Sequence, residues 1–202
     1  MLIGNKYLPQ IVTASSSAPT SPVAGMKWHI DASDANTLYQ DYLGVAHVEA
    51  EADQVSMWQD KSAYAQHSEQ SVAGYSPSYR TAVQNGLSVV RFDGTNDRMK
   101  VFAPVTTNVT TFEIFLVSKA NAATVDRIPL HIGVSTNGMG IAQYTATTGK
   151  KGFYLGGTGY TDASAAGDTS WHLWLLRRTG GTTTLYDGGT AIASSASAPT
   201  TP

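Results

Sequence analysis

Apolar and polar positions alternate along most of the chain from residue 26 onward, and glycine-bearing turns interrupt the alternation. The pattern predicts strands at 26–30, 87–93, 98–102, 111–119, 128–134, 139–144, 152–155, 171–178, 182–187 and 190–193. Asn85-Gly86, Asp93-Gly94, Asn137-Gly138, Gly156-Gly157, Gly180-Gly181 and Asp187-Gly188 punctuate them, as dipeptides that accept the positive φ of tight turns. The stretch 171–188 is the plainest hairpin, two strands around Gly180-Gly181. Its first strand is apolar on both faces, with Trp171, Leu173 and Leu175 on one side and His172, Trp174 and Leu176 on the other. Such a strand belongs in the middle of a sandwich. One helical pattern stands apart: Ala35, Leu38, Tyr39, Tyr42 and Leu43 share a helix face, Asp31, Ser33 and Asp34 precede it as caps, and Gly44 stops it. About ten short strands with one short helix predict an all-β fold, an antiparallel β-sandwich or jelly roll.

Low-complexity text brackets this block. Residues 15–22 and 195–202 are nearly the same Ser/Ala/Thr/Pro string, differing at two aligned positions, and have nothing to bury. The organisation expected is an extended N-terminal arm and linker at 1–24, one globular domain at 25–193 and a Ser/Thr/Pro-rich tail at 194–202. Within residues 2–12 of the arm, Leu2, Ile3, Tyr7, Leu8, Ile11 and Val12 are apolar. That piece is either a strand that docks on its own sandwich or on another chain, or a frayed terminus.

Composition narrows the function classes. A chain of 202 residues is long enough to bury roughly 70% of its unfolded surface, so it needs no staples. It has no cysteine, which removes disulfides and thiolate metal sites. A net charge of -2 with 14% charged residues argues against a nucleic-acid groove or a polybasic membrane surface. No run approaches the ~18 apolar residues of a membrane span, so membrane insertion is not expected. The first residues lack the basic start and long apolar run of a secretory signal.

Four blocks, in order, carry a family likeness. They are Trp28–His29–Ile30–Asp31–Ala32–Ser33, Val55–Ser56–Met57–Trp58–Gln59–Asp60–Lys61–Ser62, Val89–Val90–Arg91–Phe92–Asp93–Gly94–Thr95–Asn96–Asp97, and Trp171-His172 followed by Leu185–Tyr186–Asp187–Gly188. Together they resemble the concanavalin A-like lectin/glucanase superfamily, in particular the laminin-G-like jelly rolls of bacterial and phage proteins. The last block lacks the residue usually found between its Tyr and Asp, and the strands that normally follow are replaced by the Ser/Ala/Thr/Pro tail. An additional strand is therefore expected to complete the sandwich, with 2–12 a candidate from the same chain or a neighbour, and an uncompleted edge would be an association site. The resemblance implies carbohydrate or protein recognition, since the fold itself fixes no single ligand. With the arm and the absence of cysteine, it points to a bacteriophage virion protein.

Candidate chemistry follows. Tyr144, Tyr154 and Tyr160 flank glycine-rich turns, with Gln143, Lys150, Lys151, Thr158 and Asp162 close by in sequence. An aromatic face stacks on a sugar ring while amide, ammonium and carboxylate groups fix its hydroxyls, so Tyr144, Tyr154, Tyr160, Gln143 and Asp162 are the expected ligand-binding residues. Glu49, Glu51 and Asp53 would share a face of a strand, as acidic residues do in the related glucanases, or else form a solvated acidic loop. Asp93, Asn96 and Asp97 crowd a turn with oxygen ligands suited to calcium, or with ordinary turn chemistry. His29, His47, His67, His131 and His172 have no zinc-like spacing, and no metal or cofactor is expected. There is no Gly-x-Ser-x-Gly elbow for a nucleophile and no phosphate-binding glycine loop.

The expectation is a non-enzymatic virion module, in a tail or as capsid decoration, that acts in adhesion or glycan binding at the host surface. It would be a homo-oligomer that meets other virion proteins through residues 2–12. A purely structural virion subunit anchored by the same arm, and a glycoside hydrolase using the acidic segment, are the alternatives.

Overall fold

A computed structural model describes residues 26–101, 110–122, 128–132, 139–155 and 160–196. The arm at 1–24, the end of the tail and the Asn137-Gly138 and Gly156-Gly157 turns lie outside them. The fold is all-β with antiparallel sheets, as the alternation predicts. The described residues fall into two compact units, one of residues 26–91 and 98–101, the other of 92–97 and those from 110 onward.

In the first unit β1 (Leu38–Tyr39), β2 (Met57–Trp58), β3 (Ser68–Glu69) and β6 (Lys100–Val101) form a sheet in the order β1-β2-β3-β6. Strands β4 (Ser78–Gln84) and β5 (Leu87–Arg91) form a hairpin. Leu38, Val48, Val55 and Tyr79 are its buried core. Two of the sequence blocks meet here through polar contacts. The Asp60 carboxylate accepts the N–H groups of His29, Ser62 and Gln66, and Lys61 Nζ reaches Asp31 at 3.2 Å and Asp34 at 3.0 Å.

The expected helix at Ala35–Leu43 does not form. Only Ala35–Thr37 makes a 3-10 turn, and Leu38–Tyr39 pairs with Met57–Trp58 as a strand. Leu38 is fully buried this way, and the Asp41 carboxylate folds the chain back by accepting the N–H groups of Leu43, Val45 and Ala46. Tertiary pairing outweighs a helical period too short to stand alone.

The second unit is a sandwich of two four-stranded antiparallel sheets. Strands β7 (Phe112–Lys119), β12 (Trp171–Thr179), β13 (Thr182–Asp187) and β14 (Thr190–Ser195) form one sheet in the order β14-β13-β12-β7. Strands β8 (Leu130–Ile132), β9 (Met139–Ala142), β10 (Lys150–Leu155) and β11 (Tyr160–Ala166) form the other, in the order β11-β10-β9-β8. Trp174, Leu176 and Leu185 from the first sheet pack with Ile141, Phe153 and Leu155 from the second. Emptying the Phe153 position to Ala in so closed a core costs about 3–5 kcal/mol.

The hairpin 171–188 forms as expected, with β12 hydrogen-bonded between β7 and β13. The expectation that both its faces are covered is not met. His172, Trp174 and Leu176 point into the core, whereas Leu173 on the other face is 54% exposed. β12 is central in hydrogen bonding, but a sandwich covers only one face of each sheet. Strand β11 carries no sequence signal, because Ala163 is the only residue that it buries completely.

Candidate functional site

The β11-β10-β9-β8 sheet brings three aromatic rings into one line. Its register places His131 opposite Gly140, Gly140 opposite Tyr154, and Tyr154 opposite Tyr160, so the four residues form a single row across four strands. Alternation settles the face. Phe153, Leu155, Ile141 and Met139 fill the core, so Tyr154 and Gly140 take the outer side. The His131 and Tyr154 rings stack with centroids 5.4 Å apart, and Tyr160 meets Tyr154 edge-on at 5.6 Å.

Glycine at 140 makes the row possible. A Cβ there would fall on the Tyr154 ring and within 2.7 Å of the Leu130 carbonyl oxygen. The missing side chain lets Tyr154 lie across β9 and reach His131. In the adjacent row, Ala142 faces Gly152 and Gly152 faces Asp162, and both Ala142 and Gly152 are buried. A Cβ at Gly152 would lie 2.6 Å from the Thr161 carbonyl oxygen. Asp162 ends this row, and its buried Oδ1 has no hydrogen-bond partner among the described residues. Burial holds the His131 imidazole below its usual value, so near neutral pH the ring stacks as an uncharged aromatic.

A second cluster sits inside the sandwich. His172 Nε2 lies 2.8 Å from Asp168 Oδ1, and its Nδ1 lies 2.9 Å from the Asp187 carboxylate. Lys151 Nζ contacts the same two carboxylates, Asp168 at 3.0 Å and Asp187 at 3.1 Å. His172 thus touches both carboxylates through its two ring nitrogens, and Lys151 joins the same two, so the four groups close in a ring. Burial opposes the charge on Asp168, yet the hydrogen bonds from His172, the Ser170 N–H and Lys151 hold its carboxyl well below the usual range. Burial likewise opposes the Lys151 charge, and its bonds to Asp168 and Asp187 outweigh this and push the amine up.

The sequence-derived candidates separate between these places. Tyr154, Tyr160 and Asp162 come together on the outer face. Tyr144 lies beyond the end of β9, against Gly167, where a Cβ would be 2.5 Å from its Cδ2. Gln143 is 1% exposed. Its amide donates to the carbonyls of Asp168 at 3.2 Å and Ser170 at 2.9 Å and accepts from Ser118 Oγ at 3.3 Å, so it holds the loop before β12 in place. Lys151 faces inward in the charge ring, and Thr158 lies outside the described residues. His131 is not among the residues expected to bind ligand. The signal that could have placed it in the row is Gly140, an isolated glycine inside a strand, which marks a close approach.

Neither the acidic segment nor the acidic turn keeps free carboxylates in a cluster. Residues 49–53 form a turn rather than a strand, with Ala52 at φ 72°. There Asp53 accepts the N–H groups of Glu49 and Ala50, and Glu51 accepts the Thr81 N–H and pairs with Arg80 at 3.1 Å. Asp93 Oδ1 accepts the N–H groups of Thr95, Asn96 and Asp97, while Asp97 Oδ2 accepts the Asp93 N–H. These are turn-forming bonds.

No protein family, curated protein or solved structure matches the chain.

Proposed function

We propose that the second unit is a non-enzymatic carbohydrate-binding module that acts in adhesion, with the outer face of the β11-β10-β9-β8 sheet as its sugar platform. The observation that carries this is the row His131–Gly140–Tyr154–Tyr160. Tyr154 and His131 offer a stacked aromatic surface, and Tyr160 bounds it edge-on. The apolar face of a pyranose ring packs on such a surface, and the Asp162 carboxylate in the neighbouring row of the same sheet is the acceptor assigned to a sugar hydroxyl. The likeness of the four sequence blocks to laminin-G-like jelly rolls adds the setting, a phage virion whose decoration or tail module touches host-surface glycan.

Glycan-array screening followed by titration calorimetry on the best sugar tests the assignment. Tyr154→Ala should weaken binding about tenfold or more, as expected for losing a stacked ring. Asp162→Ala should weaken it as well, whereas Tyr144→Ala, outside the row, should leave it unchanged. An array on which the chain binds no sugar, or binding indifferent to Tyr154→Ala, would sink the proposal.

A further inference from the structure

The β14-β13-β12-β7 sheet of the sandwich ends on β7 (Phe112–Lys119), which pairs with β12 on one side only. Among the described residues no strand pairs with its other edge. Eight residues of extended chain span about 27 Å of unpaired backbone donors and acceptors. Natural edge strands are usually blunted by proline, bulges, brevity or a central charge. β7 has no proline, its register with β12 runs unbroken from Phe112 to Lys119, and its central outward residues are apolar. Phe115 is 62% exposed and Val117 is 59% exposed.

The outward face of the strand reads Glu113, Phe115, Val117, Lys119. This order is complementary to itself when reversed. An antiparallel copy centred on Leu116 sets Glu113 against the partner's Lys119 and Phe115 against the partner's Val117. Shifting the centre to Phe115 sets Glu113 against valine, and shifting it to Val117 sets Phe115 against lysine. Registers between these would turn one strand's outward residues to the other's core face, because side chains alternate. One register therefore matches faces, charges and apolar groups together.

We propose that β7 is the dimerisation edge of this chain, pairing antiparallel with β7 of a second copy about a two-fold axis at Leu116. An isologous contact of this kind requires a self-complementary patch, which this strand supplies. Glu113 already takes Arg177 on its inner side at 2.6 Å, so its carboxylate would bridge Arg177 and the partner's Lys119. Joining the edges makes one continuous eight-stranded sheet and satisfies backbone groups that no strand among the described residues pairs with. The inference is independent of any sugar.

Sedimentation equilibrium of the full chain from micromolar to submillimolar concentration is the test. Wild type should dimerise reversibly. Lys119→Glu sets two like-charge pairs across the two-fold and should raise the dimer dissociation constant about tenfold. Val117→Lys should do so at least as strongly. The double variant Glu113→Lys/Lys119→Glu restores opposite charges and should recover dimerisation over Lys119→Glu alone. Because Val117 and Lys119 are exposed, the single variants should keep the wild-type circular dichroism, and the wild-type melting curve at concentrations where both chains are monomeric, which separates lost association from lost folding. A chain that stays monomeric throughout overturns the proposal. So does a dimer that ignores both single variants, or one that is lost on removing residues 1–22 while the edge variants leave it intact.

Discussion

His131 and His172 occupy the same kind of place in the sequence, each alternating with apolar residues in a strand, yet they end in opposite surroundings. His172 is 8% exposed, with carboxylates on both ring nitrogens and Lys151 closing the circle. His131 lies exposed on the outer face of the other sheet and makes a ring contact with Tyr154. The ring around His172 is complete, so its charges are committed to holding β10, β12, β13 and the loop at Asp168 together. The row around His131 is open: two rings stack and a third stands edge-on. A closed polar ring and an open aromatic row are thus each built around a strand histidine.

Breaking the closed ring should have the largest effect. Asp187→Ala leaves Lys151 and His172 short of a partner inside the sandwich and should cost about 3 kcal/mol in urea unfolding. Sugar binding by the fraction that remains folded should be unchanged. Next is Gly140→Ala. The new methyl group meets the Tyr154 ring and the Leu130 carbonyl, so it should destabilise by about 1–3 kcal/mol and displace Tyr154 from His131. Stability and sugar binding should then fall together, which no ring variant would cause. Gln143→Leu removes the amide that holds the carbonyls of Asp168 and Ser170 and should cost about 1–2 kcal/mol, measured in the same unfolding assay, with sugar binding kept.

The smallest effect separates the two histidine sites by pH. Asp168 is held low, so its contribution to stability is present above the unfolded carboxyl value of about 3.9 and is lost as pH falls below it. Lys151 is held high, so its contribution is present below about 10.4 and is lost as pH rises beyond its folded value. The contributions of these two groups are therefore flat from about pH 5 to 10. Packing on Tyr154 removes part of the solvent around the His131 ring and lowers it, so the unfolded chain takes up that proton first and stability falls as pH drops through about 6.5. His131→Gln should flatten the slope of stability between about pH 7 and 5, by a few tenths of a kcal/mol, in unfolding curves taken across that range. A slope that persists unchanged in His131→Gln would place its origin elsewhere.

Much of the fold was legible because strand signals are local. Thr182–Asp187 has the predicted bounds, and Trp171–Thr179 and Phe112–Lys119 differ from theirs by one residue. The errors fall where locality fails. Leu38–Tyr39 carries a helical period, but its partners Met57–Trp58 lie about twenty residues on. Tyr160–Ala166 has almost nothing to bury and is a strand because β10 offers it a hydrogen-bonding edge. The candidate site was legible in part. Tyr154, Tyr160 and Asp162 were chosen for their side-chain chemistry, and the register brings them together. Gln143 and Tyr144 were chosen on the same grounds, but no local feature says that the Gln143 amide turns inward to a loop some twenty-five residues away.

The sequence alone determined the all-β class, the hairpin at 171–188 and the self-complementary order Glu113–Phe115–Val117–Lys119, since alternation and turn chemistry act between near neighbours. Only the tertiary structure decided which face of each strand is covered, which histidine closes a charge ring and which lines a row of aromatic rings. Those outcomes depend on register between strands distant in the chain. A shift of one residue would exchange the outer face for the core and dissolve both clusters.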